Sequence, residues 1–65
     1  MMYAFTSEKG ANRFVDFLAE EMSVEAEVLS YLHVEVDESE LPGDPEVFSR
    51  IEEMAEQCGA DSVLL

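Results

Sequence analysis

One histidine and one thiol are all that this chain offers a nucleophilic or acid–base mechanism: His33 stands among valines and acids, and Cys58 lies just before a glycine. A general base must reach its nucleophile within hydrogen-bond distance, and no serine sits in the Gly-flanked turn that exposes a hydrolase nucleophile. A single cysteine makes no internal disulfide and gives no paired spacing for zinc or redox exchange. The expectation is a protein with no enzymatic activity and no cofactor. What the chain has in abundance is carboxylate, with 16 Asp and Glu against 3 Lys and Arg and a formal net charge of −13. Carboxylates at this density can collect hard cations or engage a surface rich in Lys and Arg.

The charge is uneven. Residues 23–44 hold Glu25, Glu27, Glu35, Asp37, Glu38, Glu40 and Asp44 without a single Lys or Arg, so more than half of the net charge falls in a third of the length. On a strand rising about 3.3 Å per residue, same-face acids such as Glu25 and Glu27, or Glu35 and Asp37, stand about 6.6 Å apart. A duplex carries one phosphate per about 3.4 Å on each strand, so such a row can imitate phosphates. Farther on, Glu52, Glu53 and Glu56 stand three or four residues apart on a helix, where like charges cost a few tenths of a kcal/mol per pair, and Arg50 relieves only part of this. The candidate partner-binding set is therefore Glu25, Glu27, Tyr31, Glu35, Asp37, Glu38, Glu40, Glu52, Glu53 and Glu56, with Tyr31 as a rigid aromatic anchor among the acids.

Other readings of the same acids stand beside this one. A charge run is usually a solvated face. Adaptation to salt would explain the scarcity of lysine, although it predicts acids spread all over the surface. The loop with Asp37, Glu38, Glu40 and Asp44 offers oxygen ligands, but its glycine is misplaced for a helix-loop-helix calcium site, and no metal is expected. An anionic surface repels nucleic acid and anionic lipid, so neither is expected as a direct partner. No leader pattern and no run of about 18 apolar residues occurs, and the cytoplasm is the expected compartment.

The elements that must position these groups are legible from spacing. Residues 1–6, with Tyr3 and Phe5, suit a strand, and Thr6 or Ser7 can cap a helix starting near Glu8 or Gly10. That helix carries a stripe of Ala11, Phe14, Val15, Leu18 and Met22, widened by Phe17. Gly10 inside it would cost about 1 kcal/mol relative to Ala. From Met22 to Val36 the even positions are mostly apolar and the odd ones mostly polar, the period of a half-buried strand. Because the buried parity never switches, a continuous or bulged strand is favoured over a hairpin with a two-residue loop. A hairpin with an odd-length loop near Ser30 also satisfies the parity, and a helix over residues 23–31 is a weaker option. Pro42-Gly43 marks a loop. A second helix then follows, with Asp44 as N-cap, Pro45 in its first turn, a stripe of Val47, Phe48, Ile51, Met54, Ala55 and Cys58, and Gly59 as its stop. Residues 62–65 read as a closing strand.

Residues 1–65 thus form one α/β (α+β) domain, a two-layer sandwich with two helices on one face of a three- to four-stranded sheet. The order is β-α-β(β)-α-β, with right-handed crossovers around the helices. If residues 23–37 form a hairpin, the order becomes that of a ferredoxin-like fold, which hosts too many functions to decide one. In size, acidity and charge placement the chain resembles, as a class, the small nucleic-acid-mimicking inhibitors of phages and mobile elements, anti-CRISPR proteins among them. The resemblance spans the whole chain and rests on no motif. It implies a partner with a Lys/Arg-rich nucleic-acid-binding groove, such as a CRISPR surveillance complex, whose DNA binding the acids would block. An immunity protein or antitoxin against a basic toxin shares this physics.

Overall fold

The computed structural model describes residues 2–41 and 43–64, together with their side chains except those of Glu38 and residues 61–64. The chain forms a small α+β domain with two helices and an antiparallel sheet. Strand β1 (Met2–Phe5) leads into helix α1 (Glu8–Glu21); strand β2 (His33–Glu35), helix α2 (Pro45–Gln57) and strand β3 (Ala60–Leu64) follow. β1 is central, with β2 on one side and β3 on the other. Tyr3 lies opposite Val34 and Val63. Met1, Pro42 and Leu65 lie outside the described residues, so the first residue of the expected opening strand, the proline of the loop and the last leucine are not placed.

Both helices start where their side chains can satisfy free amides. The Ser7 hydroxyl accepts from the Gly10 amide at 3.1 Å, and the Asp44 carboxylate accepts from the Glu46 amide at 2.9 Å. Thr6, the other cap candidate, instead sends its hydroxyl and its amide to the Gly59 carbonyl, both at 3.2 Å. Gly59 takes φ +90°, a left-handed value that ends α2 at little steric cost only for glycine.

Gly10 has a different purpose from the one its helix propensity suggests. A Cβ at this position would land on the carbonyl oxygen of Cys58. The first turn of α1 is thus seated on the last turn of α2, and only a hydrogen side chain allows that approach. The core lies between the helices and the inner side of the sheet: Tyr3, Phe5 and Val34 meet Ala11, Phe14, Phe17 and Leu18 of α1 and Ile51 and Ala55 of α2. Phe14 is its hub, with the Tyr3 ring edge-on at 5.3 Å and the Phe5 ring tilted at 5.2 Å. Arg50 does not offset its neighbours on α2. Its guanidinium binds Glu21 of α1 at 2.9 Å and lies 6.0 Å above the Phe17 ring, tying the two helices together at the surface.

Both strand pairs are antiparallel, so β2 and β3, joined through α2, run parallel to each other with β1 between them. One expectation is corrected: the middle stretch is not one continuous strand. It reverses at a 3₁₀ turn, Ser30–Leu32, in which Tyr31 and Leu32 both adopt left-handed φ, 60° and 58°. Before that turn Val28 pairs with Val34 in an isolated antiparallel bridge. This is the odd-length loop that parity allowed, and the burial alternation survives it. Val24, Val34 and Val36 are buried, while Glu25, Glu27, Glu35 and Asp37 are exposed.

Candidate functional site

Because the middle stretch folds back on itself, the expected single row of carboxylates becomes two rows facing each other. Glu25, Glu27 and Leu29 line one wall of an open hollow of about 730 Å³; Glu35, Asp37 and Glu40 line the other, with Ala26 and Val36 between them. Five of the ten sequence-chosen residues therefore meet in one place. No Lys or Arg lines the hollow. Among the described residues no charged side chain is buried, so these acids stand in solvent and need no buried counter-charge.

The other five are placed differently. Tyr31 projects from the tip of the turn, 88% exposed, with the His33 imidazole 6.3 Å from its ring. Glu38 belongs to a second 3₁₀ turn, Glu38–Glu40, and its side chain lies outside the described residues. Glu52, Glu53 and Glu56 are exposed on α2 and do not line the hollow; Glu53 instead borders shallow depressions beside Arg50. One surface running from the middle stretch across α2, as the sequence suggested, is thus resolved into a main acidic hollow and a separate acidic helix face.

Residues that the sequence reading passed over also belong to the site. Leu29 is 40% exposed in the wall of the hollow. Its signal was its parity, since it is an apolar side chain at an odd, outward position. Ser39 is the other. Its hydroxyl and its amide donate to the same Asp37 oxygen at 2.7 and 2.9 Å, an Asx turn that orients the carboxylate. The Ser39 hydroxyl first, and then its amide, hold the Asp37 carboxyl below its ordinary value. The depressed folded value means that the stabilisation from this bond is fully present above the ordinary carboxylate value and is lost as pH falls through the lower, folded one. Ser39→Ala is expected to raise the Asp37 midpoint, as read by an NMR titration of its side-chain carbonyl; an unchanged midpoint would show that the turn does not set it.

Tyr31 sits on strained backbone, at φ 60° and ψ 29°. A left-handed residue other than Gly costs roughly 1–2 kcal/mol, and Asn tolerates the region best. Tyr31→Asn is therefore expected to stabilise the fold by about 1 kcal/mol, raising the melting midpoint by about 5 °C. A lower midpoint would mean that the aromatic ring, despite its exposure, stabilises the turn by more than the strain costs.

The rest of the titratable chemistry is sparse. Cys58 is partly buried against the core, and that burial pushes its thiol up, away from the reactive thiolate. No group of three or more His, Cys, Asp or Glu is arranged to hold a metal ion among the described residues. Among the described residues no helix is long and apolar enough to cross a membrane. The geometry offers a carboxylate-lined hollow and, at the tip of the turn, an exposed aromatic ring. Among known proteins, no family model, no curated protein and no solved structure matches the chain.

Proposed function

We propose that this chain is a non-catalytic inhibitor that docks on the Lys/Arg-rich nucleic-acid-binding groove of a partner complex and blocks DNA binding there, in the manner of an anti-CRISPR DNA mimic acting in the cytoplasm. The observation that carries this reading is the gathering of Glu25, Glu27, Glu35, Asp37 and Glu40 around one hollow that no base lines. Two carboxylate rows facing across an open hollow offer a cationic groove negative charge from two sides, as the two backbones of a duplex do. Tyr31 stands beside them as an anchor of the type that concentrates binding energy in interfaces, a large ring with few torsions to freeze. Opposite potentials also raise the association rate and make it salt-dependent. In fold, we read the domain as two layers, with both helices on one face of a sheet of three to four strands.

The direct experiment is capture from a lysate at low and at high salt, followed by competition. The reading expects a partner that binds duplex DNA, that is released by salt, and that loses DNA as this protein is added. A captured partner that keeps its DNA would refute the mimicry. A basic toxin as the captured protein would transfer the same surface to an immunity role.

A further inference from the structure

The isolated bridge between Val28 and Val34 fixes a register that the chain does not follow further. One residue beyond the bridge, that register would set Glu27 opposite Glu35; two beyond, Ala26 opposite Val36; three beyond, Glu25 opposite Asp37. We propose that residues 24–28 are a fourth strand held off the edge of β2 by the like-charge pairs Glu27/Glu35 and Glu25/Asp37, and that neutralising those charges zips the strand onto the sheet. The hollow of the candidate site is the unzipped space between the two rows.

Four observations support the device. The first rung is already made, since the Leu29 amide donates to the His33 carbonyl at 2.6 Å. The side chains already face the correct way. Val24, Val34 and Val36 are buried and the four acids are exposed, so closure flips no residue and slips no register. The sequence favours a strand, with valine at 24 and 28 and alternation throughout. In an antiparallel ladder, hydrogen-bonded and non-hydrogen-bonded pairs alternate, and with Leu29 bonded to His33 the next bonding pairs are Glu27 with Glu35 and Glu25 with Asp37. Closure therefore draws on the backbone of those residues and asks nothing of Val36.

What opposes closure is equally specific. Directly opposed side chains have Cβ atoms about 4.5–5.5 Å apart, and like charges in that position destabilise the pair. Here every rung beyond Val28 that would add hydrogen bonds brings two carboxylates together, and residues 23–44 contain no Lys or Arg to separate them. Closed, the chain would have the complete β-α-β-β-α-β order. The inference does not rest on the inhibitor reading, because the free protein suffices to test it; a cationic partner would be one agent of neutralisation.

The test compares the wild type with the E25Q/E27Q variant, with E35Q/D37N, which removes the same repulsion from the other row, and with E52Q/E56Q as a control of equal charge change on α2. In the first two variants, backbone amide exchange at positions 25 and 27 should slow tenfold or more, and the α-protons of Ala26 and Val36 should show a cross-strand contact. The control should do neither. Unchanged exchange in both hairpin variants, the same protection in the control, or the Ala26–Val36 contact already present in the wild type would each overturn the proposal.

Discussion

Gly10→Ala should lower the midpoint of thermal unfolding by about 15 °C, although alanine is the better helix former by about 1 kcal/mol. The added methyl meets the Cys58 carbonyl, a backbone atom that no rotamer change can move aside. Relief requires α1 to lift from the end of α2, which strains the helix packing around Phe14, Phe17 and Ile51. Overpacking of this kind costs roughly 3 kcal/mol, about the whole reserve of a 65-residue chain at roughly 0.05 kcal/mol per residue. Each kcal/mol moves the midpoint of a small domain by about 4–8 °C. Gly43→Ala, where a Cβ would meet nothing within 4 Å, serves as the comparison and should be close to neutral. Thermal denaturation followed by circular dichroism decides between the two forces. If Gly10→Ala melts at or above the wild type, propensity wins and the close approach of the helices is not a constraint.

Reversal of Glu25, Glu27, Glu35 and Asp37 to lysine should weaken binding to a cationic partner by about a thousandfold. Exposed ion pairs contribute up to about 1 kcal/mol each, so four lost together remove about 4 kcal/mol, and every 1.4 kcal/mol is tenfold in affinity. The same variant should be as stable as the wild type or more so, because four reversals bring the net charge from −13 to −5 and relieve the global self-repulsion, although the facing pairs remain alike in sign. Reversal of Glu8 and Asp16, exposed on α1 away from the hollow, should cost much less. Titration of the partner captured by the wild type, with each variant in turn at fixed ionic strength, gives the comparison. Equal affinity of the two variants would mean that net charge alone attracts the partner and that the hollow is not the contact surface.

Much of this was legible in the residues, for reasons that differ from element to element. The 3.6-residue spacing of Phe14, Leu18, Ile51 and Ala55 placed both helices because helical burial repeats with the turn. Asp44, Pro45 and Gly59 marked the ends of α2 through local backbone chemistry. The period-two pattern over residues 22–36 correctly told inward from outward side chains. It could not tell whether backbone hydrogen bonds join consecutive turns of the chain, because facing direction is set by each residue and pairing by its neighbour across the gap. The reversal at Tyr31 and Leu32 stood only as the alternative of a hairpin near Ser30, because no local signal favoured it. Left-handed turns are signalled by Gly or Asn, and neither is present there. Within the candidate site, the density of acids was visible, whereas the gathering of five of them around one hollow depended on that unsignalled reversal. Gly10 was noticed as a cost because its partner, Cys58, is far along the chain.

The seating of α1 on the end of α2 sets the order of events in folding. Gly10 meets Cys58, Thr6 meets Gly59, and Met2 pairs with Leu64, so the central strand acquires one of its two neighbours only after a closure spanning nearly the whole chain. Such a closure forfeits about 3.5 kcal/mol of chain entropy before any contact repays it. The helices can flicker early and β1 can meet β2, yet the sheet is not complete until residues 60–64 join it, and folding of this small domain should be an all-or-none event rather than a progressive one.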